Sequence, residues 1–131
     1  MDIRRFDLES EGLARVLGDL EARILEVIWS NGRTTVKAVT DTLGADAHVK
    51  TTMTVMNRMV EKGLLRRERQ GRAFFYVAEE DRETFVTRVA SRVIDGLMRD
   101  FGQPTLVHLV DSANPDQLTE LEALIRSRLD V

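Results

Sequence analysis

Three observations predict a mostly α chain of the α+β class, with a short β-hairpin between two helical regions. Apolar residues recur at helical spacing in three short segments before Gly63, each followed by a glycine stop signal. Two β-inclined runs, Leu64 to Arg69 and Ala73 to Val77, flank the turn signal Gln70-Gly71-Arg72. Beyond Asp81 apolar stripes at helical spacing resume, with no further strand pattern.

Residues 1–17 mix Phe6, Leu8, Leu13, Val16 and Leu17 with charges and carry Gly12, and they read as an N-terminal extension. From Asp19 the pattern tightens. Leu20, Ile24, Val27 and Ile28 share one face, Asp19 and Glu21 favour a helix start, and Ser30-Asn31-Gly32 ends the helix with Trp29 capping the core. Arg33-Thr34-Thr35 is short and β-inclined, and Thr35 is a candidate N-cap for a second helix through Val36, Val39 and Leu43, ended by Gly44. Ala45 to His48 leads into a third helix, Val49 to Lys62, stopped by Gly63. Helix, short strand, helix, helix, strand, strand is the order of a winged helix-turn-helix, expected over residues 18–80.

The third helix is two-faced. Val49, Thr52, Val55, Met56, Met59 and Val60 are expected on the packed side, while Lys50, Thr51, Thr54, Asn57 and Arg58 fall on the other, which carries no acid before Glu61. Such a face suits an anionic groove. The whole chain has formal charge −3, yet residues 50–72 hold seven cations and two acids, so this window is +5 and the remainder −8. Phosphate contacts are local, and an acidic body elsewhere does not remove them. Arg72 at the hairpin tip is placed to reach the flanking backbone or minor groove, and Arg66, Arg67 and Arg69 are further candidates for phosphate.

Residues 81–131 form a helical region expected to mediate dimerisation. A long helix from Asp81 to Phe101 carries Phe85, Val86, Val89, Val93, Ile94, Leu97, Met98 and Phe101. Gly102-Gln103-Pro104 breaks it, and a short helix follows through Leu106, Val107, Leu109 and Val110. Asn114-Pro115 then opens a last helix with Leu118, Leu121, Ile125 and Leu129 on one side. Three helices in so short a segment cannot bury this much apolar surface alone, and a homodimer resolves the excess.

Other classes find little support. The chain has no cysteine and two histidines sixty residues apart, with no glycine-rich phosphate loop, so neither a metal site, a cofactor site nor a nucleophile with its base is expected, and the chain does not read as an enzyme. No apolar run approaches the ~20 residues that span a bilayer, and the first residues lack a signal-peptide core, which predicts a soluble cytoplasmic protein without direct membrane association.

The run Leu17-Gly18-Asp19-Leu20-Glu21, the Ile28-Trp29 helix end, Thr51 to Lys62 (TTMTVMNRMVEK) followed by Gly63-Leu64, and Gly71-Arg72-Ala73 with Tyr76 resemble the penicillinase-repressor family of winged-helix transcriptional repressors (BlaI/MecI type, with copper-responsive CopY-type relatives). The resemblance covers about residues 17 to 112. It implies a dimeric repressor on a dyad operator of double-stranded DNA, with Lys50, Thr51, Met53, Thr54, Asn57 and Arg58 in or beside the major groove and Arg72 on the wing. Staphylococcal members carry an arginine where this chain has Met53, a residue able to touch a thymine methyl. It further implies dimerisation through the C-terminal helices, where the apolar stripes offer Phe85, Val89, Val93, Leu97, Phe101, Leu106, Leu118, Leu121 and Ile125. Relief of repression in such proteins involves a membrane sensor protease and cleavage at an Asn-Phe pair, a position that here holds Leu109-Val110. The copper-responsive branch uses a C-terminal cysteine cluster that this chain lacks. Antibiotic (β-lactam) resistance or another stress response is the implied output. Two other readings remain open on the residues alone: a winged-helix protein-interaction module, and a regulator that binds a small molecule among its C-terminal helices.

Overall fold

The computed structural model describes residues 3–130; Met1, Asp2 and Val131, the ends of the expected first and last segments, lie outside the described residues. A 3-10 turn at Gly12–Arg15 precedes α1 (Asp19–Asn31), α2 (Val36–Leu43), α3 (Val49–Glu61), β1 (Leu65–Gln70), β2 (Ala73–Ala78), α4 (Arg82–Ser112) and α5 (Pro115–Leu129). The chain divides into two compact units, one reaching to Val89 and the other beginning at Ala90.

The first unit is a winged helix. Helix α1 begins where the Gly18 N–H donates to Glu21 Oε1 at 2.9 Å, so a first-turn carboxylate satisfies a backbone donor that the helix itself leaves open. The hydroxyl of Thr35 caps α2 by accepting from Ala38 N–H at 3.1 Å. At the end of α3, Gly63 takes φ +78°, its N–H donates to Val60 O at 3.0 Å, and Leu64 N–H donates to Met59 O at 2.9 Å. This pair of bonds needs a left-handed residue at Gly63 and turns the chain directly into β1. Strands β1 and β2 pair antiparallel with Arg67 opposite Tyr76 and Arg69 opposite Phe74, through a turn in which Gly71 has φ +64°. Thr34 adds a bridge to β2, with Tyr76 N–H donating to Thr34 O at 2.7 Å and Thr34 N–H to Tyr76 O at 3.1 Å.

These elements enclose one core: Ile24, Leu25, Ile28, Val39, Met56, Met59, Leu64, Leu65, Tyr76 and Phe85. Two expectations about it are corrected. Val49, assigned to the packed side of α3, is 48% exposed, because at the first position of the helix it projects past the end of the core. Phe85, assigned to the dimerisation face, is 2% exposed. The start of α4 is pinned to α1: Trp29 Nε1 donates to Glu80 O at 2.9 Å, Asp81 Oδ1 caps Thr84 N–H at 2.8 Å, and the Trp29 and Phe85 rings pack with centroids 5.6 Å apart. The first turn of α4 thus completes the core, and Val89 packs partly against it. The N-terminal extension is also less separate than its composition implies, since Leu13 and Leu17 pack on the same core and Asp7 N–H donates to Arg15 O at 2.7 Å.

The second unit is wholly helical. Phe101 departs from helical dihedrals (φ −137°, ψ 43°), so the break expected at Gly102 to Pro104 is a kink inside α4. Pro104 accounts for its position: a proline ring clashes with the carbonyl four residues back, and the helix yields just after Asp100. Helix α5 starts with a reciprocal cap, Asn114 Oδ1 accepting from Gln117 N–H at 2.8 Å and Gln117 Oε1 from Asn114 N–H at 3.0 Å. No described residue from Ala90 onward is buried. No helix among the described residues is long and apolar enough to cross a membrane.

Candidate nucleic-acid interface

Burial sorts α3 into two sides. Thr52, Met56 and Met59 are buried and Val55 and Val60 half-buried, whereas Lys50, Thr51, Met53, Thr54 and Arg58 are exposed and Asn57 half-exposed. The five polar-side residues named from the sequence, and Met53 with them, therefore share one solvent-facing surface, held there by the core beneath. The first turn of α3 contains no acid, and His48 at its N-cap makes no side-chain cap. Backbone N–H groups at that end remain open to an anion. The Thr54 hydroxyl donates to Lys50 O at 2.9 Å, leaving its lone pairs to face outward.

The cations of the 50–72 window differ in what holds them. Arg66 reaches Glu79 at 2.9 Å and Glu68 at 3.5 Å. Arg67 donates to Asn57 Oδ1 at 3.3 Å and lies 4.7 Å from the Phe74 ring centroid. Arg69 donates to Gly71 O at 2.9 Å, bracing the hairpin turn. Lys62 is bound to Glu21 at 2.7 Å. Among the described residues, no hydrogen bond or ion pair engages the side chains of Lys50, Arg58 or Arg72, and all three are exposed. A cation without an internal partner gives up no protein contact when it meets a phosphate, whereas a paired one must first exchange its carboxylate. Lys50 and Arg58 on the helix and Arg72 on the wing thus have no internal contact to give up, while Arg67 and Arg69 hold a neutral oxygen and no carboxylate.

Two features of the surface were not legible in the sequence. Arg33, outside the basic window, braces the wing: its Nε donates to Glu68 at 3.1 Å, its Nη2 to Gln70 at 3.0 Å, and its guanidinium lies 4.0 Å from the Phe75 ring centroid. Tyr76 is a core residue, 2% exposed, yet its hydroxyl donates to Asn57 Oδ1 at 2.7 Å. The register that places Tyr76 opposite Arg67 is what brings both donors to α3.

Glu21 beneath this surface is nearly buried, and burial works against its charge. The bond from Lys62 and the Gly18 N–H outweigh that penalty and hold its carboxyl below the usual glutamate range. Among the described residues, no group of three or more acidic or histidine side chains is arranged to hold a metal ion.

Residues 17–127 match the penicillinase repressor family. The transcriptional regulator BlaI of Mycobacterium tuberculosis, from strains CDC 1551 / Oshkosh and ATCC 25618 / H37Rv, is 35% identical over 121 residues, which span 82% of this chain and 86% of that protein. Among solved structures, a MarR family transcriptional regulator from Silicibacter pomeroyi covers 87% of this chain and 71% of its own at 21% identity, with a TM-score of 0.47. The family match takes in the winged helix, the exposed face of α3 and most of the helical region that follows. On that match and that identity, the chain belongs to the penicillinase repressor family.

Proposed function

We propose that this chain is a dimeric, sequence-specific DNA-binding repressor that occludes a dyad operator, one α3 helix entering the major groove of each half-site. The observation that carries the reading is the trio Lys50, Arg58 and Arg72, exposed and unengaged among the described residues while the neighbouring cations are held internally. Fluorescence anisotropy with the DNA upstream of its own gene tests it. Salt-dependent, saturable binding that an unrelated duplex does not compete away is expected, and equal affinity for both duplexes would overturn sequence specificity.

Dimerisation is supported by the helical unit from Ala90 onward, where Leu97, Phe101, Leu106, Leu118 and Ile125 are exposed at 38% to 62% and no described residue is buried. An apolar segment without a core of its own gains one from a second copy. Relief of repression by a membrane sensor protease would act at Leu109-Val110, which are 45% and 52% exposed. The match to the penicillinase repressor family supports β-lactam resistance as the controlled response.

A second reading draws on a recess in the helical unit lined by Leu109, Ser112, Ala113, Gln117, Glu120, Leu121 and Leu124. Its apolar walls and few polar groups suit a small-molecule inducer. Thermal-shift assays with candidate inducers distinguish it, since a ligand that binds the folded state raises Tm with the logarithm of its concentration above Kd.

A further inference from the structure

Asn57 sits on the exposed face of α3 with its side-chain oxygen already taken. Tyr76 Oη–H donates to Asn57 Oδ1 at 2.7 Å, and Arg67 Nη1 donates to the same oxygen at 3.3 Å. A guanidinium can only donate, so the amide atom it meets is the oxygen, and the orientation of the amide follows. A carbonyl oxygen has two lone pairs, and both are engaged. What remains of Asn57 toward solvent is the NH2 group, a pure donor.

This matters for base reading. The common asparagine contact to adenine is bidentate: the amide oxygen accepts from N6–H2 while the nitrogen donates to N7. An asparagine whose oxygen is bound within its own protein cannot make it. Guanine offers N7 and O6 side by side as acceptors on the major-groove edge, the pattern a pure donor matches. Adenine offers N7 alone, with its N6–H2 donor beside it, and thymine offers O4 alone, so either side of an A·T pair gives the Asn57 donor one acceptor against the two of guanine.

We propose that Tyr76 and Arg67 set base specificity by holding Asn57 as a hydrogen-bond donor, so that the position it meets in the major groove favours a G·C pair over an A·T pair. The proposal rests on the DNA-binding reading above. It makes Tyr76 a positioning residue, acting on DNA through Asn57 without touching it. The wing then contributes to sequence choice beyond its backbone contacts, because two strand side chains determine what a helix side chain can read.

Selection of bound duplexes from a random library by the full chain tests this. The base pair read by Asn57 is identified as the one whose preference disappears in Asn57→Ala while the rest of the selected motif persists. Wild type is expected to prefer G·C there by about 5-fold or more over A·T. Tyr76→Phe combined with Arg67→Met frees the oxygen, and that variant is expected to gain acceptance of A·T at this position alone. If the double variant does not fold, Arg67→Met alone, at an exposed side chain, carries that arm, and a folded variant that rejects A·T as strongly as wild type overturns the proposal. Wild-type preference for A·T at the Asn57 position, or an unchanged motif in Asn57→Ala, overturns the proposal. Absence of any selected motif with wild type overturns the DNA-binding reading itself, and the proposal with it.

Discussion

Lys62 Nζ lies 2.7 Å from Glu21 Oε2, tying the C-terminal end of the helix that presents the candidate interface to the first turn of α1. Glu21 also accepts from Gly18 N–H, so one nearly buried carboxylate both starts α1 and anchors α3. Its folded-state pKa is depressed below the ordinary 4.5. A depressed carboxylate stabilises the fold fully above its unfolded pKa, and that contribution is lost as pH falls through the folded value. Tm is therefore expected to fall as pH drops below about 4.5. In Lys62→Met, burial acts on Glu21 with its main opposing partner gone. Thermal melts across this window should show that variant less stable near neutrality and less sensitive to acid than wild type; parallel curves for the two proteins would remove Glu21 as a contributor.

Phe85 and Leu97 share α4, but different consequences are expected for them. Phe85→Ala empties a core position packed on Trp29 and should cost about 3–5 kcal/mol in denaturant unfolding. A loss below about 1 kcal/mol would show that the site is not the core position its burial indicates.

Leu97→Asp or Leu121→Asp places a charge in the helical unit that the proposed dimer covers. Sedimentation should find monomers with weakened operator binding, since each half-site contact is then made alone. Intact dimers in both variants would displace the interface from these residues.

The exposed cations make separable contributions to DNA binding. Arg72→Ala should lower affinity across all sequences and reduce the slope of log K against log salt by about 0.9, the loss of one phosphate contact. Lys50→Ala and Arg58→Ala should weaken operator binding more strongly, each by about 5-fold or more if a base contact is lost. Undiminished affinity in all three variants, measured by anisotropy titration at several salt concentrations, would take α3 and the wing out of the groove.

Arg66→Ala serves as the contrast. Its guanidinium is committed to Glu79 and Glu68, so its removal should change the salt slope by less than Arg72→Ala does. A larger effect on the slope from Arg66 than from Arg72 would reverse their assignment.

The order of elements was legible because each is punctuated locally. Glycines follow α1, α2 and α3, Thr35 and Asn114 cap the helices they precede, and Gly71 makes the hairpin turn. The two faces of α3 could be read for the same reason, since helical periodicity alone separates Met56 and Met59 from Lys50 and Arg58. Periodicity says which residues share a face, but not what that face meets. Phe85 and Leu97 lie on one stripe in the sequence, and only the pinning of α4 by Trp29 and Asp81 consigns Phe85 to the winged-helix core.

The same division holds at the interface. The sequence by itself determined the basic window, the helix that presents it and the family it belongs to, all carried by residue identity and short-range spacing. Only the tertiary structure decided which cations are available, because Arg66 and Lys62 find carboxylates 13 and 41 residues away in the chain. It alone engaged the oxygen of Asn57, through a tyrosine 19 residues on that strand pairing carries back to α3. A hydrogen bond between distant segments leaves no periodic trace in either one, and the chemistry that Asn57 presents to a base is set by such bonds.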